Sequence, residues 1–232
     1  MKILFILMTM INPSLKKDKI FINKTYKVEN SEKVTVIIDN IQGDVIVEST
    51  GDDIVSLSLE IWIEADSDRG LEKAKRDLKL GEDITEDSII FYTKAPFIKR
   101  NSWGTGWSNN VNISMESLGY DFKYQYSVKV PKNVILDAHT INRGDVFVKN
   151  VDGPIKACNV NGEVEIKNAR KILHASTVNG DVTINFLESP KQAIDFNTVN
   201  GDFNFELPDN FNAQVYFNSM HGDLYTSFDY KR

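Results

Sequence analysis

Val178-Asn179-Gly180-Asp181-Val182 is one of five nearly identical segments in the second half of the chain. The motif recurs around Gly144, Gly162, Gly201 and Gly222, and a sixth copy around Gly43 stands far upstream. The last five glycines are separated by 18 (162−144), 18 (180−162), 21 (201−180) and 21 (222−201) residues. A fixed period near 20 residues is typical of folds in which similar units stack on one another.

Apolar residues flank every copy of the motif at fixed positions. Two residues after the glycine stand, in chain order, Val45, Val146, Val164, Val182, Phe203 and Leu224. A second apolar residue follows two positions later in all but the last copy, with mostly polar residues between, and this alternation is that of a half-buried strand. Another strand precedes the glycine, and an apolar residue stands seven positions upstream of it in five of the six copies: Val36, Ile155, Leu173, Ile194 and Val215. Each unit therefore consists of two strands around a corner.

The glycine of each copy marks that corner. Because Asn and Gly tolerate the positive φ of a tight bend, we assign a structural turn role to Gly43, Gly144, Gly162, Gly180, Gly201 and Gly222. One unit cannot bury its own apolar face, so the units must stabilise one another. We predict an all-β, single-domain β-solenoid of stacked rungs, in which residues 146, 164, 182 and 203 form one buried file. A β-sandwich of hairpins is the alternative.

The first half of the chain fits around these rungs. We place the domain at 24–232, with a strand–helix–strand insertion at 65–120 between the first and second rungs. Within the insertion we predict a helix at 67–80, with Asp68 available as a cap and Gly81 as a stop signal. A loop rich in Gly, Ser and Asn follows at 99–110 and carries two tryptophans.

The N-terminus suggests export. Met1-Lys2 is followed by a mostly apolar run from Ile3 to Ile11, which resembles a secretory signal, and we assign 1–22 as a candidate signal peptide. The run is too short to span a bilayer as a helix, so we predict no transmembrane segment. The alternative is a buried first strand. Accordingly, we expect an exported protein, periplasmic or on the cell surface, and a cytoplasmic one if the segment is not cleaved.

Bulk composition narrows the classes of partner. The 232 residues carry a net charge of −6, with a pI near 5.2, which argues against nucleic acid as a ligand. Cys158 is the only cysteine, so no disulfide can form within the chain, and no Cys/His zinc pattern is present. The common nucleophile, phosphate-binding and metalloprotease motifs are also missing, and we predict no enzymatic activity.

The corner motifs resemble the putative-adhesin family of bacterial β-strand-repeat proteins, a domain of unknown function. The order of elements is similar as well: an early Gly-Asp-Val rung, a long alternating strand, a charged helix, a Trp/Gly/Ser loop, the strand Tyr126–Lys132 and then the repeats. The resemblance covers roughly residues 25–230. It implies a β-solenoid head in or outside the cell envelope, with no catalytic residues to assign. Some relatives are associated with envelope-stress regulation.

One acidic residue follows the glycine in every copy. The five in the repeats are Asp145, Glu163, Asp181, Asp202 and Asp223, and Asp44 belongs to the upstream copy. Stacked about 5 Å apart, like charges repel by roughly 0.8 kcal/mol per pair in water. Ca²⁺ would relieve that repulsion, so this column is a candidate metal site, with no other cofactor expected. Alternatively, each carboxylate accepts backbone N–H groups at its own turn and stays solvated.

Trp103 and Trp107 are the candidate binding residues, because exposed aromatic rings are costly unless they contact something. They could stack on a sugar or a partner surface, or fold back over the solenoid. Arg143-Gly144-Asp145 is an RGD tripeptide, but it occupies the common corner. Cys158 falls on the outward parity of its strand, and the sequence places no histidine or base next to it.

These observations favour a non-enzymatic envelope protein, an adhesin-like or scaffold solenoid that presents a rigid surface to a protein or glycan. One alternative is an accessory or sensor component of an envelope-stress system that acts through protein partners. Another is a glycan-acting enzyme. Self-association through the exposed ends of the solenoid is also open, since unpaired strand edges invite pairing.

Overall fold

The computed structural model describes residues 15–100, 111–113, 118–212, 214, 216, 223 and 225–227. Among these residues the chain forms one helix and seventeen strands. In chain order they are β1 (Lys16–Lys27), β2 (Thr35–Asp39), β3 (Val45–Ser49), β4 (Ile54–Ala65), α1 (Asp68–Asp77), β5 (Lys79–Ile84), β6 (Ser88–Lys94), β7 (Ile98–Arg100), β8 (Val111–Ile113), β9 (Tyr120–Val130), β10 (Ile135–His139), β11 (Val146–Lys149), β12 (Pro154–Cys158), β13 (Val164–Ala169), β14 (Lys171–Ser176), β15 (Val182–Phe186), β16 (Asp195–Asn197) and β17 (Phe203–Glu206).

Two large sheets enclose the core. The eight-stranded sheet has the order β1-β4-β9-β3-β11-β13-β15-β17, and the seven-stranded sheet has the order β16-β14-β12-β10-β2-β6-β5. Strands β7 and β8 form a small antiparallel pair. Inward-facing side chains of both large sheets form one hydrophobic cluster, in which Val36, Val146 and Ile155 are completely buried.

The repeat motifs stack as the glycine spacing predicts. Val146 pairs with Val164, Val164 with Val182, and Val182 with Phe203, all in parallel strands. The three valines are fully buried, and Phe203, on the last described strand of the sheet, is half-buried. Residues 146, 164, 182 and 203 therefore pair in the predicted order, and the file is buried at its first three positions.

The all-β prediction is confirmed, but the sheets are mixed rather than purely parallel. Strand β4 pairs antiparallel with both β1 and β9, and β5 pairs antiparallel with β6. Every second side chain of β4 and β9 is buried, and both strands lie inside the eight-stranded sheet, whereas β6 buries three consecutive residues and lies inside the seven-stranded one.

The helix is shorter than the predicted span of 67–80. It covers Asp68–Asp77, and its N-cap is Ser67, whose side chain accepts the backbone N–H of Gly70. Leu78 is the C-cap, and the chain enters β5 at Lys79. Gly81 is not a helix stop, because it lies within β5 opposite Tyr92, whose ring occupies the space a Cβ would need.

One predicted core position is wrong. Spacing from the glycine predicts Leu173 as a core residue, yet Ile172 pairs with Ile155 and is buried, while Leu173 is only half-buried. A register irregularity follows, so that Lys156 pairs with His174. An extra residue of this kind is a β-bulge, which no fixed spacing from a glycine can anticipate.

Part of the candidate signal peptide belongs to the sheet. Residues 16–22 form the first half of β1, which pairs with β4 from Lys16 to Lys27. Ion pairs from Lys17 to Glu64 and from Lys19 to Glu60 add to this pairing. Residues 1–14 lie outside the described part of the chain.

Candidate functional site

Close backbone contact between successive corners explains the glycine of the motif. A Cβ at Gly162 would overlap the carbonyl oxygen of Gly144, and a Cβ at Gly180 would overlap that of Gly162. Gly180 also has a φ of 152°, in a region that other residues rarely adopt. The glycines therefore let adjacent corners approach closely, in addition to allowing the bend.

The acidic residues of the motif bind backbone, although not at their own turn. The Asp145 carboxylate accepts the N–H of Glu163 at 2.8 Å, and the Asp181 carboxylate accepts the N–H of Asp202 at 2.8 Å. Asp44 accepts the N–H of Asp145 in the same way at 3.1 Å. Each of these carboxylates thus joins its corner to the equivalent corner of the next unit.

The asparagines of the motif form a second ladder. The Nδ2 group of each donates to the Oδ1 atom of the previous one, from Asn161 to Asn142 at 2.6 Å, from Asn179 to Asn161 at 2.7 Å and from Asn200 to Asn179 at 2.7 Å. Asn142 therefore occupies the asparagine position of its corner, so Arg143 is an inserted residue.

Arg143 has a φ of 55° and pairs with Asp121. Burial raises the pKa of Asp121, but the bonds from Arg143, Phe122 and Gln42 outweigh it and leave the pKa below its ordinary value. The arginine of the RGD tripeptide thus makes an intramolecular ion pair.

A third ladder lies below the corner surface. The Thr177 hydroxyl donates to the Gly162 carbonyl at 2.8 Å, and the Thr198 hydroxyl donates to the Gly180 carbonyl at 3.2 Å. Asn159 makes the equivalent bond to the Gly144 carbonyl at 2.9 Å. Backbone contacts between corners are therefore reinforced by polar side chains, which accounts for the polar residue three positions before the glycine.

The corner surface holds no metal-binding arrangement among the described residues, where no group of three or more His, Cys, Asp or Glu side chains could hold an ion. Asp223 is exposed. Gly222, Trp103 and Trp107 lie outside the described residues.

A different surface stands out on the outer face of the eight-stranded sheet. Phe21 on β1 is 68% exposed and Trp62 on β4 is 40% exposed. Phe21 pairs with Glu60, two residues from Trp62, so the two aromatic residues are diagonal neighbours. We call Phe21, Asn23, Ser58, Trp62 and Ser127 the outer patch.

The tryptophan of the outer patch is held in place by charged neighbours. The Lys19 ammonium lies 4.0 Å from the centroid of the Trp62 ring, and it pairs with Glu60 at 2.7 Å. Hydrogen bonds from Lys19 and from the Trp62 indole lower the pKa of Glu60, so that this carboxylate remains charged. Trp62 is therefore fixed while part of its ring faces solvent.

The rest of the outer patch is neutral and polar. Asn23 pairs with Ser58, and Ser58 pairs with Ser127, across the three strands β1, β4 and β9. All three residues are exposed. Two aromatic rings beside a row of hydroxyl and amide groups can stack on a flat apolar face and form hydrogen bonds at the same time.

Sequence reasoning missed the outer patch because it assigned part of β1 to a signal peptide. The alternation Ile20, Ile22, Tyr26 with polar residues between was the available signal for a strand. Once β1 is recognised as a strand, Phe21 falls on its outer face.

Residues with reactive side chains also occupy paired positions on the seven-stranded sheet. His139 pairs with Cys158 in adjacent parallel strands, and its Nε2 atom lies 2.7 Å from an oxygen of Asp137. The prediction that no histidine lies beside Cys158 is therefore wrong, because the parallel register brings together residues far apart in sequence. Cys158 is 1% exposed, so its thiol is shielded from solvent.

The helix described above is too short and polar to cross a membrane, and no other described segment forms a helix that could.

Comparison with solved structures finds distant likenesses. A putative cell adhesion protein from Clostridium sporogenes is 8% identical, with a TM-score of 0.48, and the match covers 82% of this chain and all of the other. A putative adhesin from Parabacteroides distasonis is 12% identical, with a TM-score of 0.29, and the match covers 81% of this chain and 75% of the other. No curated protein matches the chain.

A family model matches at residues 110–228, about half of the chain, and it contains the five consecutive corner motifs. This match confirms the resemblance that the corner motifs indicate. The chain belongs to the Toastrack DUF4097 family.

Proposed function

We propose that this chain is a non-enzymatic protein of the cell envelope that binds a glycan through the outer patch of a rigid β-solenoid. The observation that carries the proposal is the pair of solvent-facing aromatic residues, Phe21 and Trp62, on a flat sheet. Aromatic residues are enriched at interaction surfaces relative to the rest of a protein surface.

The rigidity of the surface supports binding. Three ladders of side-chain hydrogen bonds hold successive corners in register, and the Lys19–Glu60 pair holds Trp62. A surface that is already ordered loses little conformational entropy when a ligand binds. An extended, repetitive polymer could lie across such a sheet without requiring it to rearrange.

The chemistry of the outer patch favours a sugar over a charged ligand. Asn23, Ser58 and Ser127 offer neutral donors and acceptors for hydroxyl groups. The nearby charges of Lys19 and Glu60 are already paired with each other, and Lys123, opposite Trp62 on β9, adds one positive charge. A neutral or weakly acidic glycan therefore fits better than a strongly charged one.

A glycan array and a panel of cell-wall polymers, each probed with the purified chain, test the proposal. We expect binding by the wild type and loss of binding in Phe21→Ser/Trp62→Ser. The matched control is Ile84→Ser, which removes an apolar residue of similar exposure, 41%, from the other sheet. Absence of binding by the wild type, or equal binding by the double variant, would rule out the outer patch as a glycan site.

The loop tryptophans form a separate arm of the experiment. Trp103→Ala/Trp107→Ala should reduce binding if these rings extend the outer patch, and should leave it unchanged if the outer patch acts alone. Reducing-sugar release measured on every bound polymer checks the non-enzymatic part of the proposal, which predicts none.

Location is tested by fractionating cells and sequencing the mature N-terminus. We expect the protein outside the cytoplasm. Since Lys16 already pairs with Ala65, a cleavage compatible with the fold falls before residue 16 and not at residue 22. An intact Met1 in the cytoplasmic fraction would contradict export.

A further inference from the structure

The outer patch continues beyond β9 across the rest of the eight-stranded sheet. Ser127 pairs with Ile46 on β3, and the pairing passes from there through one residue on each further strand. We call these five residues the outer row: Ile46, Phe147, Glu165, Thr183 and Asn204. Together with Asn23, Ser58 and Ser127, the outer row crosses all eight strands, which at a spacing of about 4.8 Å span roughly 34 Å.

The outer row is open to solvent and carries a second apolar area. Ile46 is 43% exposed, and Phe147, opposite it on β11, is half-buried. Because the residues on either side of them in sequence are buried valines, both lie on the outer face, as Phe21 and Trp62 do. Apolar contact is therefore available at two places, with the serines of the outer patch between them.

The outer row is close to electrically neutral, and charges of opposite sign border it. Glu165, its one charged member, pairs with Lys167 at 2.6 Å. The acidic residue of each corner stands two positions before the row, and Lys129 and Lys149 stand two positions after it, on either side of Glu48. A polyanion would be repelled on the first side and a polycation on the second, so an uncharged chain fits the row best.

The spacing of the strands selects an extended chain of sugars. Rings joined in a flat ribbon, as β-1,4-linked hexoses are, advance along the chain by about the 4.8 Å that separates neighbouring strands. Successive rings therefore meet successive strands, with ring faces on the apolar residues and edge hydroxyl groups beside Ser, Thr and Asn side chains. An α-1,4-linked chain curves into a helix and would leave the row after a few rings.

We propose that the ligand of the outer patch is a β-1,4-linked polysaccharide that lies along the outer row, perpendicular to the strands, with one sugar over each strand. This inference rests on the proposed function and adds the linkage, direction and length of the glycan. It also gives the repeats a part in binding, because each stacked unit contributes one strand to this sheet and hence one further sugar position.

Calorimetric titration of the full chain with oligomers of two to eight sugars tests the proposal. The probes are β-1,4-linked glucose, β-1,4-linked N-acetylglucosamine and, as the control for linkage, α-1,4-linked glucose. In at least one β-linked series we expect the affinity to rise roughly tenfold or more between three and eight sugars, since each added ring gains contacts. The α-linked series should show no such rise.

Two isoleucines on the same face provide matched variants. Ile46→Ser removes an apolar residue of the outer row, and Ile54→Ser removes one of similar exposure, 39%, from β4 beyond the row. We expect Ile46→Ser to lower the affinity for the eight-sugar oligomer about tenfold and to leave the affinity for three sugars, which the outer patch alone can hold, unchanged. Ile54→Ser should change neither, and thermal unfolding checks that both variants are folded.

The outcomes separate this inference from the proposed function. Affinity that is independent of length, equal for the two linkages or equally affected by the two isoleucine variants would overturn the outer row, even where Phe21→Ser/Trp62→Ser still abolished binding. Binding to none of the oligomers would overturn it as well, leaving a protein or a second copy of the chain as the occupant of the row. The glycan array then decides whether the proposed function stands.

Discussion

At the scale of single residues, the glycine of the corner motif should tolerate substitution worst. Gly180→Val places a branched side chain against the Gly162 carbonyl, at a φ of 152°. Backbone strain of this type costs about 1–3 kcal/mol, and the collision adds to it. Asp181→Asn keeps an acceptor for the Asp202 N–H at the surface and should cost no more than about 0.5 kcal/mol.

Urea denaturation measures the stability lost in each variant as a decrease in the urea concentration at the unfolding midpoint. The order of the two variants is decisive: if Asp181→Asn destabilised the protein more than Gly180→Val, the carboxylate would be binding something beyond the backbone. That outcome would support the metal hypothesis for the acidic column.

Ile172 and Leu173 offer a second test in neighbouring residues. Ile172 is 1% exposed and pairs with Ile155, whereas Leu173 is half-buried at the register irregularity. Ile172→Ala should cost about 2–5 kcal/mol and Leu173→Ala clearly less. Thermal unfolding of the two variants checks this, and equal losses would mean that the bulge is misplaced.

Residue positions could be predicted from the sequence wherever the repeat is regular. Spacing from the glycine identified Val146, Val164 and Val182 as core. The spacing failed at Leu173, because a bulge adds a residue to that strand. It also failed at Arg143, an inserted residue that leaves Asn142, one position further upstream, in the asparagine ladder. A local insertion shifts the count without changing the type of residue, so periodicity alone cannot detect it.

At the scale of elements, ion pairs between oppositely charged side chains connect successive units away from the glycine corners. Lys132 pairs with Asp152 at 3.0 Å, Asp152 pairs with Arg170 at 3.3 Å, and Arg170 pairs with Glu188 at 3.3 Å. The Asp152 side chain is 15% exposed, which limits screening by solvent.

Asp152→Asn should destabilise the protein by about 1–3 kcal/mol, because it leaves two cations without their shared partner. Glu188→Gln, at the more exposed end of the series, should cost less than about 1 kcal/mol. Chemical denaturation of both variants provides the comparison. Equal effects would show that the alternating charges are not coupled.

The stability contributed by the contact between β1 and β5 of the seven-stranded sheet should depend on pH. The Tyr26 hydroxyl donates to the Glu82 carboxylate, and Lys24 pairs with it at 3.0 Å. Tyr26 and Lys24 together lower the pKa of Glu82 below its ordinary value of 4.5, against the opposing effect of burial.

Because the folded pKa is the lower one, Glu82 stabilises the fold above about pH 4.5, and this contribution is lost as the pH falls through the folded value. Stability measured against pH should therefore fall less steeply on the acid side in Glu82→Gln than in the wild type. Asp83→Asn on the same strand is the control. Parallel curves for Glu82→Gln and the wild type would contradict the assignment.

Most strands could be predicted from alternation, but neither their exact ends nor the neighbours with which they pair could be. The predicted helix extended past Leu78 because helical spacing continues into β5, and the Tyr92 ring that requires Gly81 comes from another strand. Pairing of β4 with β1 and β9 in antiparallel order depends on contacts distant in sequence. Such contacts leave no local pattern to read.

At the scale of the whole molecule, the two faces of each sheet have separate roles. The inner faces supply one continuous core, and the outer face of the eight-stranded sheet presents the outer patch. The repeats therefore explain why the scaffold is rigid, while the outer patch lies in the antiparallel strands upstream of them. The sequence directed attention to the acidic corners because they repeat, and repetition reports on architecture more than on chemistry.

Disulfide trapping tests the stacking on which this account depends. In a Cys158→Ala background, Phe147→Cys/Glu165→Cys places two thiols on partner positions of adjacent strands β11 and β13. Phe147→Cys/Thr183→Cys places them two strands apart, roughly 10 Å, which is too far for a disulfide. We predict rapid oxidation of the first pair and none of the second. Oxidation of the second pair, or failure of the first, would contradict the in-register stacking of the units.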